Sequence, residues 1–126
     1  MKTVYTTLTI LIVFFIGAIY FLQYVEYSCN EILTHIERLD ECILNEDWDK
    51  THSNIEALKK EWRQKKRVWE ILLEHYDIDT IDVAISKIEK FADINNKDLA
   101  LGELVKLKFY IKHIEDKEAF SIANLL

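Results

Sequence analysis

From Val4 to Leu22 the chain is dominated by Ile, Leu, Val and Phe, and residues 3–25 carry no formal charge. Beyond Glu26 the apolar residues thin out into helical spacing. Val25, Cys29, Ile32, Ile36, Leu39 and Ile43 recur at intervals of three and four, which places them on one face of a helix over 26–45. Ala18 and Leu22 extend the same phase backward, so the apolar segment and this helix read as one continuous rod. Asn45-Glu46-Asp47 interrupts the pattern and offers an N-cap for a second helix, over 48–76. There Trp48, Ile55, Trp62, Trp69 and Tyr76 recur every seven residues, with Leu58 and Leu72 at companion positions: a core seam of large side chains. Asp79 is the expected N-cap of a third helix that turns Ile81, Ile85, Ile88 and Ala92 inward. Ile94-Asn95-Asn96 reads as a loop. A fourth helix then points Ala100, Leu104, Leu107, Ile111 and Ile114 inward, and Phe120–Leu126 is expected to lie against the bundle.

These seams predict an all-α protein: an N-terminal transmembrane helix (residues 1–25) followed by an antiparallel helical bundle of about four helices (residues 26–126). Composition supports this reading. The 126 residues include no proline and two glycines, where average usage would supply roughly six and roughly nine. Strand-rich folds need those residues at their turns. With 50% hydrophobic and 12% aromatic residues, the chain is not a disordered tail.

The charge-free segment is long enough for a bilayer core, which takes about 20 apolar residues of helix. Tyr5, Tyr20 and Tyr24 stand near its ends, where amphipathic rings favour the headgroup zone. A cleaved signal peptide has a shorter apolar region and a small-residue cleavage site. Here Ala18 is followed by Ile19, Tyr20, Phe21 and Leu22, so an uncleaved anchor is expected. Cys29 raises a lipoprotein reading, but Glu26, Tyr27 and Ser28 fit a lipidation box badly. The α-amino group and Lys2 precede the span, and the next basic residue is Arg38. Positive charge stays inside, so the N-terminus is expected in the cytoplasm and the bundle outside the cell membrane. A second helix reaching Tyr76 would run about 42 Å, further than the about 30 Å that helix 26–45 rises. The bundle must therefore tilt, kink, or break its second helix early, and residues 63–69 would meet the headgroups first.

Charge alters the picture at one place. Residues 59–67 hold Lys59, Lys60, Arg63, Lys65, Lys66 and Arg67 against the single acid Glu61, in a chain of net charge −6. Two readings stand: a solvated helix face paired with acidic neighbours, and contact with anionic lipid headgroups or cell-wall polymer. Nucleic acid is not an expected partner of so acidic a domain. The Trp48, Trp62 and Trp69 stripe reads as buried core in preference to a ligand platform, each indole N–H finding a partner near the surface. His75, Asp77, Asp79 and Asp82 cluster between two helices, but the glycine of a calcium loop is missing, and no metal or cofactor is expected. No Glu-x-x-His, His-Glu-x-x-His, Gly-x-Ser-x-Gly or phosphate-binding glycine loop occurs. Cys29 and Cys42 lie about 20 Å apart along one helix, too far for an internal disulfide.

The pattern Trp62…Trp69…His75-x-Asp77-Ile78-Asp79-x-Ile81, with His113-Ile114…Ile122-Ala123-Asn124-Leu125 behind an N-terminal span, resembles a family of small single-span proteins of unknown function from spore-forming Gram-positive bacteria. The resemblance implies a membrane-anchored helical domain and carries over no catalytic residue. The expected function is a non-enzymatic interaction or accessory module for a membrane or envelope protein. Two alternatives remain: a ligand-sensing bundle working through a signalling partner, and an enzyme using His75 with Asp77 or Asp79.

Overall fold

The computed structural model describes residues 1–125. Four helices follow one another: α1 (Lys2–Leu44), α2 (Trp48–Leu72), α3 (His75–Asp93) and α4 (Lys97–Leu125), with no strand among the described residues. The rod expected from the seam is present, since α1 runs unbroken for 43 residues, about 64 Å. Its first twenty residues are almost wholly exposed, whereas Val25, Cys29, Ile32, Ile36, Leu39 and Ile43 are buried. By length and composition α1 can cross a membrane.

Each helix packs against its sequence neighbours, and α4 closes the ring against α1, while the diagonal pairs stay apart. This is an up-down-up-down four-helix bundle, in which the C-terminal half of α1 is one of the four staves. The seams supply a single core: Ile55, Leu58, Trp62 and Trp69 from α2, Ile81, Ile85 and Ile88 from α3, and Leu104, Leu107, Ile111 and Ile114 from α4. Trp48 is only partly buried at the rim of that core.

Two of the three connections share one device. Glu46 (φ 54°) and Asn95 (φ 53°) are left-handed. The amide of Glu46 donates to the Ile43 carbonyl (3.0 Å) and that of Asp47 to the Cys42 carbonyl (3.0 Å). Asn95 and Asn96 repeat this pattern onto Ala92 (3.0 Å) and Phe91 (2.9 Å). Both ends are Schellman motifs built without the usual glycine. The same loops start the next helices, with Asp47 Oδ1 accepting from the Lys50 amide (3.2 Å) and Asn96 Oδ1 from the Leu99 amide (3.1 Å).

The α2–α3 connection corrects the sequence reading. α2 stops at Leu72, after which Leu73 (ψ 166°) and Glu74 (ψ 145°) are extended and α3 starts at His75. Asp79 therefore lies inside α3 and caps nothing, and Glu74 holds the N-cap position without a side-chain bond. Tyr76 leaves the seam altogether and is 73% exposed. The break leaves α2 at 25 residues, about 37 Å, instead of the 29 residues of the expected helix. Residues 120–125 also differ from expectation: they continue α4 as helix, burying Ile122 but leaving Phe120 and Leu125 exposed. Leu126 lies outside the described residues.

Candidate functional site

A groove with a volume of about 430 Å³ runs between α3 and α4. Helical spacing puts Tyr76, Thr80 and Val83 along one wall, and Ala84 and Leu107 on the floor. Ala84 leaves the floor low because its side chain is a single methyl. Val83 is 53% exposed, an apolar side chain facing out of the bundle. Charges of both signs edge the groove. Glu103 is met by Lys106 (3.3 Å) and Lys87 (3.9 Å), and Asp79 lies near the α2–α3 corner.

Below that end of the groove is a polar cluster that the sequence reading missed. The Tyr110 hydroxyl donates to Asp77 (2.5 Å), and Lys117 reaches Asp77 (3.4 Å) and Glu74 (3.6 Å). Asp77 is 6% exposed. Burial, reinforced by the bond to Asp77, pushes the Tyr110 phenol up to about 12. The cluster ties the first turn of α3 to α4. His75 is exposed and does not line the groove, and Asp77 turns into the α3–α4 interface. The proposed trio of His75, Asp77 and Asp79 thus converges on no common cavity. No group of side chains suited to a metal ion occurs among the described residues.

The basic segment divides in two. Lys59 pairs with Glu89 (2.9 Å) and Glu56 (3.2 Å), and Lys66 with Asp82 (2.7 Å) and Glu70 (4.0 Å). Lys65 is buried between Glu31 and Glu61 (2.6 Å to the latter), with its ammonium 5.9 Å from the Tyr27 ring centroid. Burial alone would lower the Lys65 pKa, but the bonds to Glu31 and Glu61 overcome it and raise the group above its ordinary value. Glu31 falls to about 2 because Lys65, and then Tyr27, donate to it. Lys60, Arg63 and Arg67 are exposed and form no ion pair among the described residues.

Trp62 and Trp69 are core, and Trp48 stands at its rim. Trp62 and Trp69 pack edge to face at 5.5 Å, and the Trp62 indole donates to Asp82 (2.7 Å). Among the described residues the Trp69 N–H is buried without a partner, as is the Ser28 hydroxyl. The expectation of a surface partner for every indole therefore fails at Trp69, which is 1% exposed and too deep to reach one. Both cysteines are free. Cys29 is fully buried, its thiol pushed up to about 12 by burial.

No curated protein and no solved structure matches the chain. One family model does match, over residues 19–125, a span that takes in the last part of the apolar segment, the whole bundle and the end of α4. By that match the chain belongs to the family described as Domain of unknown function (DUF4363).

Proposed function

We propose that this protein is a non-enzymatic, single-span module of the cell membrane that presents its α3–α4 groove to a helix of another membrane or envelope protein. The observation that carries the reading is the groove itself. It has an apolar floor between two antiparallel helices, a mixed-charge rim, and outward-facing Val83 and Tyr76. From Tyr76 to Lys87 it follows α3 for about 16 Å, room for three turns of a partner helix. α1 supports the anchoring half of the reading. It passes without a break from an exposed apolar segment into the bundle core, so no flexible linker lies between anchor and groove. Lys2 before the span and the lack of another cation until Arg38 favour a cytoplasmic N-terminus and an extracytoplasmic bundle. The resemblance to single-span proteins of spore-forming Gram-positive bacteria agrees with this placement.

Photo-crosslinkers at Val83 and Thr80, compared with one at Lys50 on the far end of the bundle, test the proposal in intact cells. The reading expects one and the same envelope or membrane protein, identified by mass, from both groove positions and not from Lys50. Adducts with lipid alone, or the same adducts from all three positions, would contradict it. A second reading has one observation in its favour: about 430 Å³ suits a small molecule. A ligand sensor of this kind would signal through a partner, and a thermal-shift screen with envelope metabolites separates the two readings.

A further inference from the structure

Three interhelical contacts set the height of every helix against α1. The Lys65–Glu31 pair fixes α2, and counting residue for residue from it brings Ile71 and Leu72 level with Val25 and Tyr24. The Cys29 Sγ contact to the Ile111 carbonyl (3.8 Å) fixes α4, bringing residues 119–125 level with residues 21–15 of α1. The Tyr110–Asp77 bond then places the start of α3 at the same end as the close of α2. The last helix thus overshoots the α2–α3 corner and runs on beside the apolar half of α1. Half-burial of Ala18, Phe21 and Leu22, in an otherwise exposed stretch, agrees with a neighbour at that height.

The chemistry changes within about one turn of the same height on both helices. On α4 the last charged side chain is Glu118, level with Leu22, and residues 119–125 carry none. On α1 no charge occurs between Lys2 and Glu26. The large apolar side chains that α4 leaves outward here are Phe120 (69% exposed) and Leu125 (71%), beside exposed Ala119, Ser121, Ala123 and Asn124. Across the bundle, the corner exposes Ile71 (84%), with Tyr76 beside it. A soluble surface rarely gathers so many large apolar side chains at one end. Above Ile71 on the same face of α2 stand Arg67 and then Arg63, one and two turns higher. Within residues 59–67, those are two of the three exposed cations without an ion pair among the described residues.

We propose that this end of the bundle is itself a membrane-docking surface. The α4 segment 119–125 sinks into the leaflet beside residues 15–21 of α1. Ile71, Leu72 and Tyr76 rest at headgroup level, and Arg67, with Arg63 behind it, meets anionic headgroups. The occupant is lipid, because the charge-free segment 119–125 stands beside the apolar residues 15–21 of α1 at matching depth. The inference rests on the reading of α1 as a membrane anchor. It narrows the six-cation patch to two residues, since Lys59, Lys65 and Lys66 are held by carboxylates and Lys60 stands about 16 Å above Ile71.

The test uses the full chain in phosphatidylcholine–phosphatidylglycerol vesicles. Single nitroxide labels go on cysteines introduced at Ile12, Ile71, Phe120, Leu125 and Glu46, in a Cys42→Ser background. The buried native Cys29 stays in place. Collisions with oxygen, which concentrates in lipid, are compared with collisions with a water-soluble nickel chelate. The proposal expects Phe120 and Leu125 to resemble Ile12, with nickel collisions lost. Ile71 should fall between Ile12 and the fully aqueous Glu46. Nickel-accessible labels at Phe120 and Leu125, with Ile12 still in lipid, would overturn the docking surface and leave the anchor standing. A nickel-accessible Ile12 would overturn both. As a second readout, Arg63→Glu with Arg67→Glu should shift the Ile71 label toward nickel in anionic vesicles but not in neutral ones. An equal shift in both, or none, would remove the headgroup contact.

Discussion

Replacing Lys65 with Met removes the cation that Glu31 and Glu61 share inside the α1–α2 interface. The two carboxylates are left facing each other without it. Holding the Glu31 carboxyl at about 2 instead of its ordinary 4.5 would be worth about 3 kcal/mol without solvent. A third of the Glu31 side chain is exposed, and screening brings the figure to about 1–2 kcal/mol. For a bundle of this size that is a fall in Tm of about 5–10 °C at pH 7, read by far-ultraviolet circular dichroism of the full chain in detergent. The sign of the pH dependence follows from the direction of the shift. A carboxyl depressed in the folded state stabilises above its unfolded pKa, and that contribution disappears as pH falls from 4.5 toward 2. The wild type and Lys65→Met should therefore differ most at neutral pH, with the gap narrowing below pH 4.5 and closing only by about pH 2. Adding Glu31→Gln and Glu61→Gln to Lys65→Met should recover most of the loss, since no unpaired charge then remains. An equal deficit at pH 7 and pH 3 would show that Lys65 acts through packing of its alkyl stem, and no deficit at pH 7 would refute the network.

Other consequences are as definite. Glu46→Gly should stabilise the bundle by about 1 kcal/mol, because glycine relieves the left-handed backbone of the Schellman turn; destabilisation in urea unfolding would count against that geometry. Gly102→Ala, where an added Cβ meets nothing within 4 Å, should gain about 0.5–1 kcal/mol through helix propensity alone. Tyr110→Phe should cost about 1–2 kcal/mol by taking the hydroxyl from buried Asp77, and unchanged stability would mean that Lys117 alone satisfies the carboxylate. At pH 8 a maleimide should label Cys42 and spare Cys29, whose thiol is buried and raised to about 12; equal rates would show that α1 and α4 separate around Cys29.

The seams were legible because inward positions on long helices are the same residues that periodicity selects, from Val25 to Ile43 and from Ala100 to Ile114. The loops were legible through Asn45–Asp47 and Asn95–Asn96, although the φ of Glu46 was not, since glutamate carries no left-handed preference. The α2–α3 corner was hidden for a specific reason. The heptad continues through Tyr76 in the sequence, and no proline, glycine or capping side chain marks Leu73 and Glu74. The burial of Lys65 was hidden inside the basic segment, because one of its partners lies on another helix, at Glu31. The groove escaped a pattern that sought inward residues, because outward Val83 and Tyr76 build its wall.

Anchoring through α1 is the claim on which the placement of the groove and of the docking surface both depend. The most direct test is the intact mass of the chain recovered from cells after alkaline carbonate extraction. An anchored protein stays in the membrane pellet at a mass that retains residues 2–25. A carbonate-soluble product whose mass begins beyond Ala18 would identify a cleaved leader and contradict the anchor.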